Sequence, residues 1–489
     1  MSTMTEFEAP PIKKTGHPAG LFVLFFSEGW ERFSYYGMRA LLVLYLTTHL
    51  KYARKDALLL YATYTSLVYL TPLLGGWLAD KVLGQRKAIL IGGIVMALGH
   101  FAMAFEPMLH VALCLLILGN GFFKPNISTM VGNLYPQGDV RRDGAYTIFY
   151  MGINLGAFIA PLACGWLGEN PRFGWHYGFG LAGVGMVLGL ICFLTFQSKL
   201  EGGLPPGRKA SEGLNVMDWV HVVVASLICA GVAYGAGLGL PSFLPYSKVV
   251  VPVIAAGFGV AMLTVFAMAF ATIGKPSGED WQRISVILIV SLFSIVFWMG
   301  FEQSGGTLNL FALEKTDRTL FDIEFPASYL QSVNPLLIIT LAPIFSMIWL
   351  AIDRTRFRLT SSFKMGLGLI FLGLGFVVMY QAERAADNAK VGPQWLCFVY
   401  LLFTMGELCL SPIGLSLVNK LAPAKLASLL MASWFLCTAI ANYFAGTLEE
   451  ILSHYHVNLW LFLIVTSIIP GLLLLALTVP LKKMAHGRL

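Results

Sequence analysis

The sequence predicts an all-α integral membrane protein of fourteen transmembrane helices, arranged as six, two and six. Three observations predict it. Hydrophobic residues make up 57% of the 489-residue chain and charged residues only 12%, with a mean hydropathy of +0.73, whereas a soluble domain carries about 25% charged residues. Apolar runs long enough to span a bilayer, about 20 residues each, recur from end to end. Lys and Arg alternate in the connections: with the N-terminus inside, interior segments hold 21 of the 33 basic residues and exterior ones nine. That bias places both termini in the cytoplasm.

In order, the candidate spans are 21–48, 57–79, 88–105, 109–134, 144–168, 174–197, 217–244, 249–273, 283–312, 327–352, 361–381, 393–419, 425–448 and 458–480. Residues 1–20 read as a cytoplasmic tail, polar and carrying Pro10, Pro11, Lys13 and Lys14, with no cleavable leader. A first bundle then covers 21–198, a Gly/Pro/charged linker 199–216, two inserted spans 217–273, a second linker 274–282, a second bundle 283–481 and a tail 482–489. The inserted pair has ionisable residues only at its edges (Asp218, His221, Lys248) and reads as lipid-facing scaffold. All seven cysteines lie in apolar segments, so they read as small core residues rather than disulfide partners, and no metal-ligand spacing occurs. The net charge of +7 resides in loops and is not a nucleic-acid signal.

The first span breaks the apolar rule. LFVLFFSEGWERFSYYGMRALLVLYLTT carries Glu28, Glu31, Arg32 and Arg39, and a charge at mid-bilayer costs at least ~2.5 kcal/mol. Spacings of three and four put Glu28, Glu31, Arg32, Tyr35, Tyr36 and Arg39 on one helical stripe. Such a face must look into protein or water, as an ion-paired joint or as a polar pathway. The other ionisable residues within spans are Lys124, Glu302 and Glu407. The bases therefore come only from the first half, and the second half supplies only carboxylates. A cavity between them would be positive on one wall and negative on the other, which suits a zwitterion better than a sugar or a lipophilic drug.

An internal repeat supports two related halves. GNGFFKPNISTMVGNLYP (119–136) and GELCLSPIGLSLVNKLAP (406–423) share Gly and Pro at identical spacing, with Asn120 opposite Glu407 and Lys124 opposite Ser411. Matched Gly/Pro-interrupted helices in two halves point to a transporter binding site. GGWLADKVLGQRK (75–87) resembles the loop between spans two and three of the major facilitator superfamily, where Asp80 would hold a cytoplasmic gate; DRTRFR (353–358) is a weaker echo.

SEGWERFSYYGMR (27–39) carries the E-x-x-E-R-F-x-Y-Y-G element of the proton-dependent oligopeptide transporter family. FYMGINLG (149–156), GFFKPN (121–126), QSVNPLLIITLAPIF (331–345), GELCLSPIGLS (406–416) and the Trp434 segment also resemble that family's motifs. The resemblance implies a bacterial proton symporter importing di- and tripeptides by alternating access, with no cofactor besides the proton and no obligate protein partner. It implies that Arg39 and Lys124 hold the peptide carboxylate and Glu407 its ammonium. Asn154 and Asn334 would bond the peptide amide and carbonyl groups, and Tyr35, Tyr36, Tyr69, Ser411 and Trp434 would shape side-chain pockets. Packing is the plainer role for the tyrosines and Trp434, and interhelical bonding for the asparagines. Glu28, Glu31, Arg32 and Lys124 would form the proton-coupling network, with Glu302, alone in an apolar helix, as a second proton site. Where animal members have a histidine in span two, this chain has Ala62, which leaves proton binding to carboxylates. The alternative keeps the fold and changes the cargo to nitrate, an amino acid or a peptide-like metabolite. A membrane enzyme is excluded by the lack of HExxH, GxSxG or zinc-ligand spacing, and a channel by the lack of a repeated pore loop.

Overall fold

The computed structural model describes residues 16–136, 139, 141–200, 215–233, 277–355, 359–423 and 426–487. Thirteen of the fourteen predicted spans meet helices there, and the one at 249–273 lies outside the described residues. The first half comprises α1 (Ala19–Leu44), α2 (Arg54–Leu70), α3 (Pro72–Leu78), α4 (Gln85–Ala102), α5 (Leu109–Asn133), α6 (Arg141–Gly168) and α7 (Trp175–Phe196). The described part of the insert is α8 (Val216–Ala233). The second half comprises α9 (Gly278–Phe301), α10 (Thr307–Glu314), α11 (Val333–Asp353), α12 (Ser361–Ala385), α13 (Gln394–Leu421), α14 (Ala427–His454), α15 (Leu459–Ala476) and α16 (Thr478–Met484). Among the described residues, nine helical stretches are long and apolar enough to cross a membrane.

Two spans expected to be continuous are interrupted. The 57–79 span divides at Thr71 and Pro72, because proline donates no N–H to the preceding turn. The 283–312 span divides at Glu302–Ser304, a 3-10 turn followed by Gly305 and Gly306. Some helix starts carry side-chain caps: Ser277, Thr360 and Asn458 accept the N–H of residues three further on.

The halves are built alike. Lipid provides little apolar drive to helix association, so close approach depends on small residues. Gly119 of α5 lies against Gly92 of α4, and a Cβ on it would overlap the Gly92 carbonyl. Gly406 of α13 lies in the same way against Gly368 of α12. These are the two glycines the sequence repeat aligns. α4 also packs on α7 as α12 packs on α15.

Contacts joining the halves concentrate at mid-depth and at the end away from the termini, the far end. There Arg54 donates to Glu449 at 2.6 Å and to Glu314 at 2.8 Å, while Lys55 lies 3.8 Å from Glu450. Glu169 accepts the backbone N–H groups of Ala327 at 2.7 Å and Ser328 at 3.0 Å, capping the turn that leads into α11. Ser332 donates to the Phe158 carbonyl at 2.8 Å and Asn309 to that of Ala40 at 2.9 Å. α2 lies along α14, where a Cβ on Gly446 would overlap the Leu58 carbonyl and Ala62.

Candidate functional site

The charged stripe of α1 faces protein over its full length. Glu28 and Glu31 are fully buried, and Arg32 and Arg39 nearly so. The α1 contact with α6, where Gly29 and Gly156 meet, places this face toward α5 and α2.

The stripe divides into two groups. In the first, Lys124 of α5 is ion-paired with Glu28 Oε1, and Arg32 Nε lies 3.3 Å from the same oxygen. Arg32 also holds Glu31 through both carboxylate oxygens, one contact at 2.7 Å, and Asn120 Nδ2 donates to Glu31 Oε1 at 3.3 Å. Two acids and two bases thus share one pocket without net charge. The remaining Glu28 oxygen, Oε2, is buried with no hydrogen-bond partner among the described residues. A carboxylate normally accepts on both oxygens, so this is the atom with room for a proton. The Lys124 side chain is 29% exposed, the most accessible member of the group.

In the second group, Arg39 is ion-paired with Glu302 and donates to Tyr61 Oη at 2.5 Å. Its guanidinium lies 5.9 Å from the Tyr36 ring centroid and 5.8 Å from that of Tyr61. Arg32 lies 5.0 Å from the Tyr35 ring, and Tyr35 and Tyr36 meet edge to face at 5.2 Å. Glu302 is therefore not alone: it stands at the α9–α10 break, against the first half's arginine. The expected positive and negative walls touch here, and this pair joins the halves.

The second half contributes a polar array. Asn334 Nδ2 donates to Thr404 Oγ1 at 2.9 Å and to Glu407 Oε2 at 3.0 Å. Asn154 Nδ2 donates to the Tyr150 carbonyl of its own helix at 2.9 Å. Both asparagines thus have donors committed to protein. Trp434 is buried against Gly414 in the second-half core, and Tyr69 packs beside Leu59, Leu436 and Tyr443. Ser411 is half-buried beside Pro412, one turn beyond Glu407. Asp80 is exposed on a π-helical turn, Ala79–Leu83. Asn120 lies beside Glu31 rather than in the array around Glu407, its counterpart in the repeat. Tyr61 and Thr404 were not singled out by sequence, and Asn120 only as the repeat counterpart of Glu407. Each lies within one helical turn of a residue that was. Of the histidines, His100 is fully buried and bonded to Ser34, while His49 pairs with Glu106 at 2.6 Å near the far end.

Two repeated halves joined across a buried charge pair, with a polar array at mid-depth, define a secondary membrane transporter of the major facilitator fold. The sequence profile of the POT family matches residues 86–461. The chain belongs to that family. Similar curated proteins include the Yersinia enterocolitica "Peptide transporter YePEPT", 38% identical over 452 residues (88% of this chain, 87% of the relative). The Lactococcus lactis subsp. cremoris "Di-/tripeptide transporter" is 33% identical over 495 residues (96% and 97%), and the Bacillus subtilis "Uncharacterized transporter YclF" 35% identical over 484 (96% of each). Among solved structures, a mutant of the peptide transporter POT in complex with alafosfalin superposes with a TM-score of 0.83 at 35% identity, covering 97% of each chain. A POT family transporter in complex with 5-aminolevulinic acid superposes with a TM-score of 0.82 at 30% identity (96% and 98%).

Proposed function

We propose that this protein is a proton-coupled symporter of di- and tripeptides in the inner membrane, with both termini cytoplasmic. The names of its relatives support the cargo. The observation that carries the coupling is the Glu28–Lys124 pair. A proton taken up at Glu28 removes the anion that holds Lys124, and the freed ammonium attracts the peptide carboxylate. Proton and substrate then favour the same state, and by linkage each raises affinity for the other. Arg39 assists at the carboxylate end when Glu302 releases it, and protonation of Glu302 would do so. Glu407 receives the peptide ammonium, Tyr35, Tyr36, Tyr69, Ser411 and Trp434 bound the side-chain space, and Asp80 belongs to the cytoplasmic gate. No cofactor besides the proton enters this scheme.

One observation supports a second cargo. The relative solved with 5-aminolevulinic acid holds a molecule whose ammonium and carboxylate are several bonds apart, as in a dipeptide. A peptide-like metabolite would therefore satisfy the same two ends. Uptake into proteoliposomes of dialanine, trialanine, alanine, 5-aminolevulinic acid and nitrate, with and without an inward proton gradient, tests the reading. Accumulation of dialanine and trialanine only with the gradient is expected. Gradient-driven uptake of nitrate or alanine alone would overturn it.

A further inference from the structure

The Asn334 amide can present either an oxygen or an N–H pair to a ligand, and its neighbours decide which. Thr404 is fully buried, and its hydroxyl donates to the Tyr400 carbonyl one turn back, at 2.7 Å. With that proton committed, Thr404 Oγ1 faces Asn334 only as an acceptor, 2.9 Å from Nδ2. Glu407 Oε2, 3.0 Å from the same nitrogen, is an acceptor when ionised. Both amide hydrogens are thus taken. Turning the amide over would set its oxygen against two acceptors and leave both without a donor. Asn334 Oδ1 has no protein partner among the described residues, and it is what the amide can offer.

We infer that Thr404 is a positioning residue: it fixes the Asn334 amide so that its oxygen, beside the Glu407 carboxylate, completes a site for a substrate ammonium. An ammonium has three N–H donors and no acceptor, so an acceptor pair recognises it and an N–H pair repels it. Without the Thr404 hydroxyl, only the bond to Glu407 opposes the flipped orientation. The inference rests on the reading that a peptide ammonium sits at Glu407.

The test measures binding of two ligands to the purified full-length protein. One is dialanine. The other is propionyl-alanine, the same molecule with hydrogen in place of the amino group. Thr404→Val keeps the branched shape and removes the hydroxyl. It is expected to weaken dialanine about tenfold, the size of one lost hydrogen bond to a charged group, and to leave propionyl-alanine within about twofold of wild type. Thr404→Ser, which restores the hydroxyl, is expected to recover dialanine. Equal loss for both ligands, or no loss for either, would overturn the role assigned to Thr404. Where Thr404→Val yields no folded protein, Thr404→Ala is measured by the same criterion. Glu407→Gln is the separate arm: it should weaken dialanine far more than propionyl-alanine. If it weakens both equally, the ammonium lies elsewhere and the underlying reading fails, whatever Thr404→Val does.

Discussion

Glu28 and Glu31 lie in the same pocket, yet their surroundings differ. Glu31 is held through both oxygens by Arg32 and touched by Asn120, whereas Glu28 keeps one buried oxygen without a partner among the described residues. Glu28→Gln should therefore abolish accumulation driven by an inward proton gradient while exchange of labelled for unlabelled dialanine partly survives. Normal gradient-driven accumulation by this variant would place the coupling proton elsewhere. The Arg39–Glu302 pair makes a different demand. Both side chains are under a tenth exposed, and removing one partner of such a pair costs about 3–5 kcal/mol because the other charge is left buried. Thermal unfolding in detergent should show Arg39→Ala less stable than the double variant Arg39→Ala/Glu302→Gln, and equal midpoints would argue against a desolvated pair. The residue types of the site were legible in the sequence, because a charge in an apolar run costs too much to be incidental. Their partners were not. Arg39 and Glu302 are 263 positions apart and meet only because the halves fold together. Thr404 is an ordinary residue in an apolar helix, and its one signal was its place three residues before Glu407.

Helix periodicity fixes where spans run but not where they break. The divisions at Pro72 and at Gly305–Gly306 fall inside apolar runs that read as continuous, because proline and glycine are common in membrane helices. The second break matters most, since it carries Glu302 and brings Gly305 so near Tyr61 that a Cβ there would meet the phenol oxygen. Another close approach is Gly446 of α14 against α2. Gly446→Val should force these helices apart at the far end. With Ser332→Cys in a background lacking other cysteines, labelling by a membrane-impermeant maleimide should then become several-fold faster. Unchanged labelling would mean that this contact does not hold the far end closed. Outside the spans, the Arg141 guanidinium bonds to Asp139 and holds its carboxyl down to about 2. A depressed carboxylate contributes stability that is present above its ordinary value and lost only as pH falls through the lowered one. It is thus constant between about pH 5 and 8. Asp139→Asn is expected to leave the pH profile of uptake unshifted, and a shift would show that this loop takes part in coupling.

Across the whole molecule, far-end closure has two components of unequal weight. The Arg54 and Lys55 ion pairs are partly exposed, and such pairs contribute about 0–1 kcal/mol each and are screened by salt. Helix packing and the contacts of half-buried Glu169 and buried Ser332 and Asn309 carry the rest. Arg54→Ala should accordingly lower dialanine uptake by no more than about fivefold, and less at high ionic strength. A complete loss, insensitive to salt, would make the ion pair the principal latch. The two-half architecture was legible from the repeat, because Gly119 and Gly406 occupy equivalent close contacts that only glycine permits. The insert was recognised by its lack of charge; its described helix, α8, packs on α5 and α3, with Val222 in one apolar cluster with Leu78, Val82 and Phe122. Trp219 and Val223 of this helix are exposed. A helix moored to one half travels with that half like the needle of a gauge. A fluorophore on it, paired with one on the opposite bundle, would turn each transport cycle into a change of distance that can be read while peptide and proton pass.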